Sequence, residues 1–176
     1  MQEEANAKRT LAGLKAKRVG ALNEDIISAS CNAYRMEGIA DIMKTPEPMR
    51  PIKSLGAGRY MAVFEKKAQA DYKGVLMGGR CIAFEAKHTS ADRIQESAVT
   101  DEQGDMLDRY SAMGGECFVL VSFDDWSFYK VPWYAWRNMK NIFRHQHIKQ
   151  SEMPEQWRVR FDGNRLYFLM EDRDGE

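Results

Sequence analysis

The sequence predicts an α/β (α+β) domain in which helices flank a mixed central sheet, and three observations carry that reading. The chain has 176 residues, 44% of them hydrophobic and 30% charged, which is room for one sizeable core and too little for two. Segments with a period of three to four residues are interleaved with short β-branched and aromatic runs; the first pattern marks helices and the second strands. The run from Glu116 to Phe123 is almost continuously apolar, as a strand buried on both faces must be. No apolar run approaches the roughly 18–20 residues of a membrane span.

The elements follow in order. Residues 1–18 hold five basic side chains and little apolar content beyond Leu11 and Leu14, which predicts a mobile basic arm or frayed helix ahead of a single domain over 19–176. Leu22, Ile26, Ile27, Ala29, Ala33 and Tyr34 recur at helical spacing before Gly38, so a first helix is expected over 21–36. Residues 39–44 read as a strand, closed by Thr45-Pro46-Glu47-Pro48, because prolines cannot join a central ladder. A basic, glycine-containing connection is expected over 50–58 and a strand over 60–65. Strands over 72–76 and 80–87 then form a hairpin about Gly78-Gly79.

Thr100 as N-cap and Gln103 three residues on form a capping-box signature, which starts a second helix that stops at Gly114-Gly115. After the apolar strand, another is expected over 128–131. Pro132 opens a third helix to about His145, and residues 157–161 with 166–170 pair about Asp162-Gly163. His145 and His147, two apart on that helix, would diverge by about 200° and could not share a metal.

Charge is balanced overall, with 26 basic and 26 acidic side chains, yet it is segregated along the chain. Residues 1–90 carry 15 basic and 10 acidic groups, and residues 91–176 carry 11 and 16. The basic half is a candidate phosphate-contacting face; variation on a solvated surface is the alternative. The N-terminal stretch lacks the apolar core of a secretory signal. Cys31, Cys81 and Cys117 are widely spaced without a CxxC, so the expected location is a reducing cytoplasm.

The chemistry gathers at Asp71, Glu85 and Lys87. Glu85 and Lys87 are two apart on a strand and share a face. A two-residue loop at Gly78-Gly79 sets Met77 opposite Arg80 and turns Asp71 to the other face. A three-residue loop, Met77-Gly78-Gly79, sets Leu76 opposite Arg80 and pairs Asp71 with Glu85. Only the second register builds a site, with two carboxylates roughly 5 Å apart at Cβ. Carboxylates that close repel unless a cation neutralises them, and hard oxygen donors suit Mg²⁺ or Mn²⁺. The alternative is a triple that simply lines a solvated hairpin face.

Asn32-Ala33-Tyr34, Gly38-Ile39-Ala40, Lys44-Thr-Pro-Glu-Pro48, Asp71-Tyr-Lys-Gly-Val75, Phe84-Glu-Ala-Lys87, a helix bearing Gln103, and Gly114-Gly115 before an apolar strand occur in that order. In these motifs, spread over residues 22–131, the chain resembles the RecU-type Holliday junction resolvases of the PD-(D/E)xK nuclease superfamily. The resemblance implies a restriction-endonuclease-like core. It implies metal ligation by Asp71, Glu85 and Gln103, catalysis by Lys87 with the two carboxylates, and a two-fold homodimer that cuts branched DNA in recombination and repair. By the same resemblance the stretch 50–68 corresponds to a short stalk entering the junction, and its Lys53, Arg59, Lys66 and Lys67 are the nucleic-acid-binding candidates. A nucleoid-associated location follows.

The chain departs from the family where Gln69-Ala70 replaces a Thr-Thr pair before the aspartate, and its hairpin is one residue longer. Glu24 is a further candidate acid that would reach the metal through water, against a plain solvated helix face. His88 points away from Lys87. Trp126, Trp133, Trp136 and Trp157 are read as hydrophobic cover for the sheet before base-stacking groups. The rival function is a recombination accessory protein that binds branched DNA without cutting it.

Overall fold

The computed structural model describes residues 2–64 and 69–169, with the backbone alone over 2–18. Its first helix, α1 (Gln2–Met36), is far longer than the expected 21–36. The chain continues through β1 (Ala40–Lys44), β2 (Met49–Gly56), β3 (Arg59–Phe64), β4 (Tyr72–Leu76), β5 (Cys81–Thr89) and β6 (Arg93–Gln95). Helix α2 (Asp101–Ala112), β7 (Glu116–Phe123) and β8 (Phe128–Pro132) follow, then α3 (Trp133–Arg137), α4 (Met139–Phe143), β9 (His147–Lys149) and β10 (Arg158–Val159).

Six strands form one sheet in the order β1-β4-β5-β7-β8-β10. The central pair β5–β7 is parallel and the other neighbours are antiparallel, so the sheet is mixed as the sequence predicts. Alternation along each strand splits the core in two. Ile27, Cys31 and Tyr34 of α1 pack with Ile82, Phe84, Phe118 and Leu120 on one face. Met106 and Leu107 of α2 and Trp133 and Trp136 of α3 pack with Ala83, Val119 and Val121 on the other. Burying a side chain of this size contributes about 1.5–3 kcal/mol, and a one-residue slip in β5 would exchange its two faces.

Gly74 has a packing reason that its place in a chemical motif conceals. A Cβ there would stand 2.0 Å from the Asp41 carbonyl oxygen and 2.7 Å from the Ile42 Cα on β1. Any larger residue would push the edge strand away from β4.

Some expectations need correction. The segment 50–58 is mostly strand: Met49 pairs with Phe64, Pro51 with Ala62 and Gly56 with Arg59 in a separate two-stranded sheet. Ile52 and Leu55 among its basic residues fit a pleated ribbon. The single helix expected after Pro132 is two short ones that meet at Asn138, whose side chain and backbone N–H both donate to the Tyr134 carbonyl, at 2.7 and 3.2 Å. His145 and His147 therefore lie off any helix, with stacked rings 3.9 Å apart.

The terminal hairpin is reduced to β10 and one bridge between Phe161 and Leu166, and Met170 is outside the described residues. Leu166 cannot extend a ladder, since Ser30 Oγ accepts its N–H at 2.9 Å and the Tyr34 hydroxyl donates to its carbonyl at 2.9 Å. The β6–β9 pair was not foreseen; three-residue strands are too short to show a period. Trp133, Trp136 and Trp157 are buried, while Trp126 is half-exposed against Phe161.

Candidate active site

The decisive register is that of β4 and β5. Tyr72 pairs with Phe84, Gly74 with Ile82 and Val75 with Cys81, and the Leu76 N–H donates to the Arg80 carbonyl at 2.8 Å. The loop is thus Met77-Gly78-Gly79, with φ of 88° and 90° at the two glycines, a left-handed conformation that a Cβ would strain. This is the register that sets Asp71 beside Glu85.

Packing on the opposite face pins it. Tyr72 and Phe84 stack at 4.8 Å, and Phe84 and Phe118 stack at 4.6 Å, across three strands. Asp71 and Glu85 immediately neighbour Tyr72 and Phe84 in sequence, so the same stack aims their carboxylates at the α2 side.

The backbone locks the two acids together. Asp71 N–H donates to Glu85 Oε1 at 3.3 Å and Ala86 N–H donates to Asp71 Oδ2 at 3.0 Å. Asp71 is itself anchored by Thr45, whose N–H donates to its carbonyl at 2.8 Å. Lys87 Nζ lies 2.9 Å from Glu85 Oε2 and 3.8 Å from Asp71 Oδ2. Gln103 Nε2 donates to Glu85 Oε2 at 2.5 Å from the first turn of α2, where Gln103 also completes the capping box with Thr100. Four of the expected site residues therefore meet at one place.

Glu85 is fully buried. Burial, and then the neighbouring Asp71 charge, push its carboxyl up to about 7 against the opposing pull of Lys87. A buried carboxylate beside another carboxylate is a site that gains from a cation. Among the described residues no cluster of three or more His, Cys, Asp and Glu side chains could hold a metal. The hard oxygens of these two carboxylates fit Mg²⁺ or Mn²⁺.

The other candidates separate from this group. Glu24 is half-exposed and paired with Lys44 at 2.5 Å. Gln69 accepts from Lys73 at 2.6 Å, and the Ala70 N–H meets Met106 Sδ at 3.2 Å, so the departing dipeptide adds no oxygen to the pair. His88 lies on the α1 side, bonded to Ser122, Asn23 and Asp124, beside a cavity of about 110 Å³. Lys53 and Arg59 lie on the fully exposed β2–β3 hairpin, whereas Lys66 and Lys67 fall outside the described residues. Sequence reasoning missed Thr45 and the Ala86 N–H. The first reads only as part of a proline turn, and the second is a backbone group that no side-chain pattern reveals.

Comparisons with known proteins show what the chain is similar to. A family model described as Recombination protein U (RecU) matches residues 18–165. The Holliday junction resolvase RecU of Geobacillus kaustophilus (strain HTA426) is 33% identical over 124 residues, 67% of this chain and 61% of that protein. The protein of the same name from Streptococcus pneumoniae (strain Taiwan19F-14) is 31% identical over 138 residues, 74% of this chain and 67% of its own length. The chain thus spans about three fifths of the first relative's length. The solved structure of Archaeoglobus fulgidus Hjc, a Holliday junction resolvase, aligns at a TM-score of 0.41 and 15% identity over 68% of this chain and 82% of that one. With the family match covering most of the sequence and the relatives above 30% identity, this chain belongs to the RecU family.

Proposed function

We propose that this chain is a divalent-metal-dependent endonuclease that resolves four-way DNA junctions in recombination and repair, acting as a homodimer at the nucleoid. The convergence of Asp71, Glu85 and Lys87 on one face of the β4–β5 hairpin is the observation that carries this reading. The names of its relatives point to the same substrate.

Asp71 and Glu85, with Gln103 beside them, would hold the cation, Mg²⁺ by preference and Mn²⁺ as an alternative. Bound there, it would supply positive charge to a phosphodiester oxygen and acidify a water. The protein's own groups do the rest. The two backbone N–H donors hold the carboxylates in a fixed relation, so little reorganisation is needed when substrate arrives. Lys87, anchored by both acids, presents a partly exposed ammonium where negative charge develops as water attacks phosphorus and the 3′-oxygen leaves. In this reading residues 19–176 are one nuclease domain. The stretch 50–68 is its stalk, with Lys53, Arg59, Lys66 and Lys67 contacting phosphates.

The test is cleavage of a mobile four-way junction beside a linear duplex of the same sequence, with and without Mg²⁺. Metal-dependent paired nicks in the junction alone are expected. Tight junction binding without cleavage at any divalent metal would instead mark a non-cleaving accessory protein.

A further inference from the structure

One row of side chains crosses three strands on the α2 face of the sheet. The β1–β4 pairing of Lys44 with Tyr72 continues one step further, since the Thr45 N–H donates to the Asp71 carbonyl at 2.8 Å. Thr45 therefore stands opposite Asp71, as Asp71 stands opposite Glu85, and the three side chains leave the same face. Directly opposed residues have Cβ atoms roughly 5 Å apart. Support along this row is uneven. Glu85 accepts from the Asp71 N–H, from Gln103 Nε2 and from Lys87 Nζ. The Asp71 carboxylate accepts the Ala86 N–H at 3.0 Å, with Lys87 no nearer than 3.8 Å.

Thr45 carries a donor that the fold leaves idle. Its hydroxyl oxygen is buried and, among the described residues, has no hydrogen-bond partner. A buried hydroxyl in that condition costs stability, so its presence in a native chain calls for a reason. The polar side chain that the register sets opposite it is Asp71, the less supported of the two acids. We infer that Thr45 is a positioning residue, whose hydroxyl donates to the Asp71 carboxylate when that carboxylate holds the cation. One staggered step about χ1 re-aims the hydroxyl without moving the strand. A cation there repels the Lys87 ammonium, and the hydroxyl replaces that charged neighbour with a neutral donor that fixes the carboxylate and leaves it lone pairs to offer. This rests on the reading of Asp71 and Glu85 as the cation's holders.

Calorimetry with Mg²⁺ alone and thermal unfolding without it, both on the full chain, test this. Thr45→Val keeps the β-branched shape that suits a strand and removes only the hydroxyl. It should weaken Mg²⁺ binding about tenfold, within the roughly 10–100-fold typical for losing a group that orients a ligand. Its melting midpoint without Mg²⁺ should be no lower than that of the wild type, because the hydroxyl it removes was unpaired. Thr45→Ser, which restores the hydroxyl without the methyl, should bind Mg²⁺ within about twofold of the wild type.

Wild-type Mg²⁺ affinity in Thr45→Val would leave the hydroxyl without a role and overturn the inference. So would a Thr45→Ser variant as weak as Thr45→Val, which would assign the effect to the methyl group, and so would a lowered midpoint in Thr45→Val, which would show the hydroxyl bonded within the fold itself. The underlying reading fails separately, and the inference with it, if the wild-type chain shows no Mg²⁺ binding that Asp71→Asn abolishes.

Discussion

Two hairpins of this chain are built from the same antiparallel pairing and treated oppositely by the fold. In β4–β5, Tyr72, Ile82, Ala83, Phe84 and Glu85 are all buried, and an aromatic stack runs on into β7. In β2–β3 every residue is exposed, including Met49, Ile52, Leu55, Tyr60, Met61 and Phe64. The register of the first is set by two packed faces, so its carboxylates stand where the core puts them. The second is held by its own ladder, and its apolar side chains face solvent. Under the proposed function, the groups that need ångström placement sit on the first hairpin, and the basic Lys53 and Arg59, which would need only to reach a phosphate, sit on the second.

The sharpest way to break this contrast is to remove the ring at its centre. Phe84→Ala should cost about 3–5 kcal/mol of stability, read from urea or thermal unfolding, while Tyr60→Ala on the exposed hairpin should stay within about 0.5 kcal/mol of wild type. Equal losses would mean that the two hairpins are supported alike.

Lys87→Ala tests the packed hairpin without unfolding it. Cleavage should fall by on the order of 10²–10³, with Mg²⁺ and junction affinity nearly intact, since an ammonium beside a cation helps only where negative charge develops. Asp71→Ala should lower metal affinity as well. Near wild-type cleavage by Lys87→Ala at saturating metal removes its assigned role.

The pH dependence isolates Glu85. Its carboxyl is raised from 4.5 to about 7 in the folded chain, chiefly by burial. The metal-free native state therefore holds a proton that the unfolded chain releases, and this group's contribution to stability is full below 4.5 and lost as pH rises through about 7. Metal binding needs the carboxylate, so Mg²⁺ affinity should climb as pH rises toward 7 and then level off. Calorimetry between pH 5.5 and 8 checks the climb, and Glu85→Gln should flatten the stability profile.

The exposed hairpin gives the smallest effects. Lys53→Ala and Arg59→Ala should each reduce the salt slope of junction binding by about one unit, independent of sequence, and leave stability unchanged. An unaltered slope in the double variant would detach the hairpin from DNA.

How much of this was legible depends on whether a residue's neighbours in sequence are also its neighbours in space. The three-residue loop and the Asp71–Glu85 pairing follow from counting along one hairpin, and the Thr100–Gln103 box from one helical turn. Period and apolar run length located β5, β7 and α2. The β2 strand hid behind its proline, its glycine and its basic residues. The break at Asn138 leaves no mark in the apolar period, and the truncated terminal hairpin depends on Ser30 and Tyr34, more than 130 residues away. For Gln103, the residue pattern named the cap and the family resemblance named ligation.

The two edges of the six-stranded sheet carry a consequence of their own. β1 is five residues long and runs at once into Pro46 and Pro48, while β10 is only two residues long. An unpaired strand edge is a template on which another chain can add. Here one template is cut short by imino acids that cannot donate, and the other is too brief to propagate a ladder. The sheet is thus guarded against open-ended growth into fibrils, which favours side-chain surfaces over strand edges for contacts between copies of the chain.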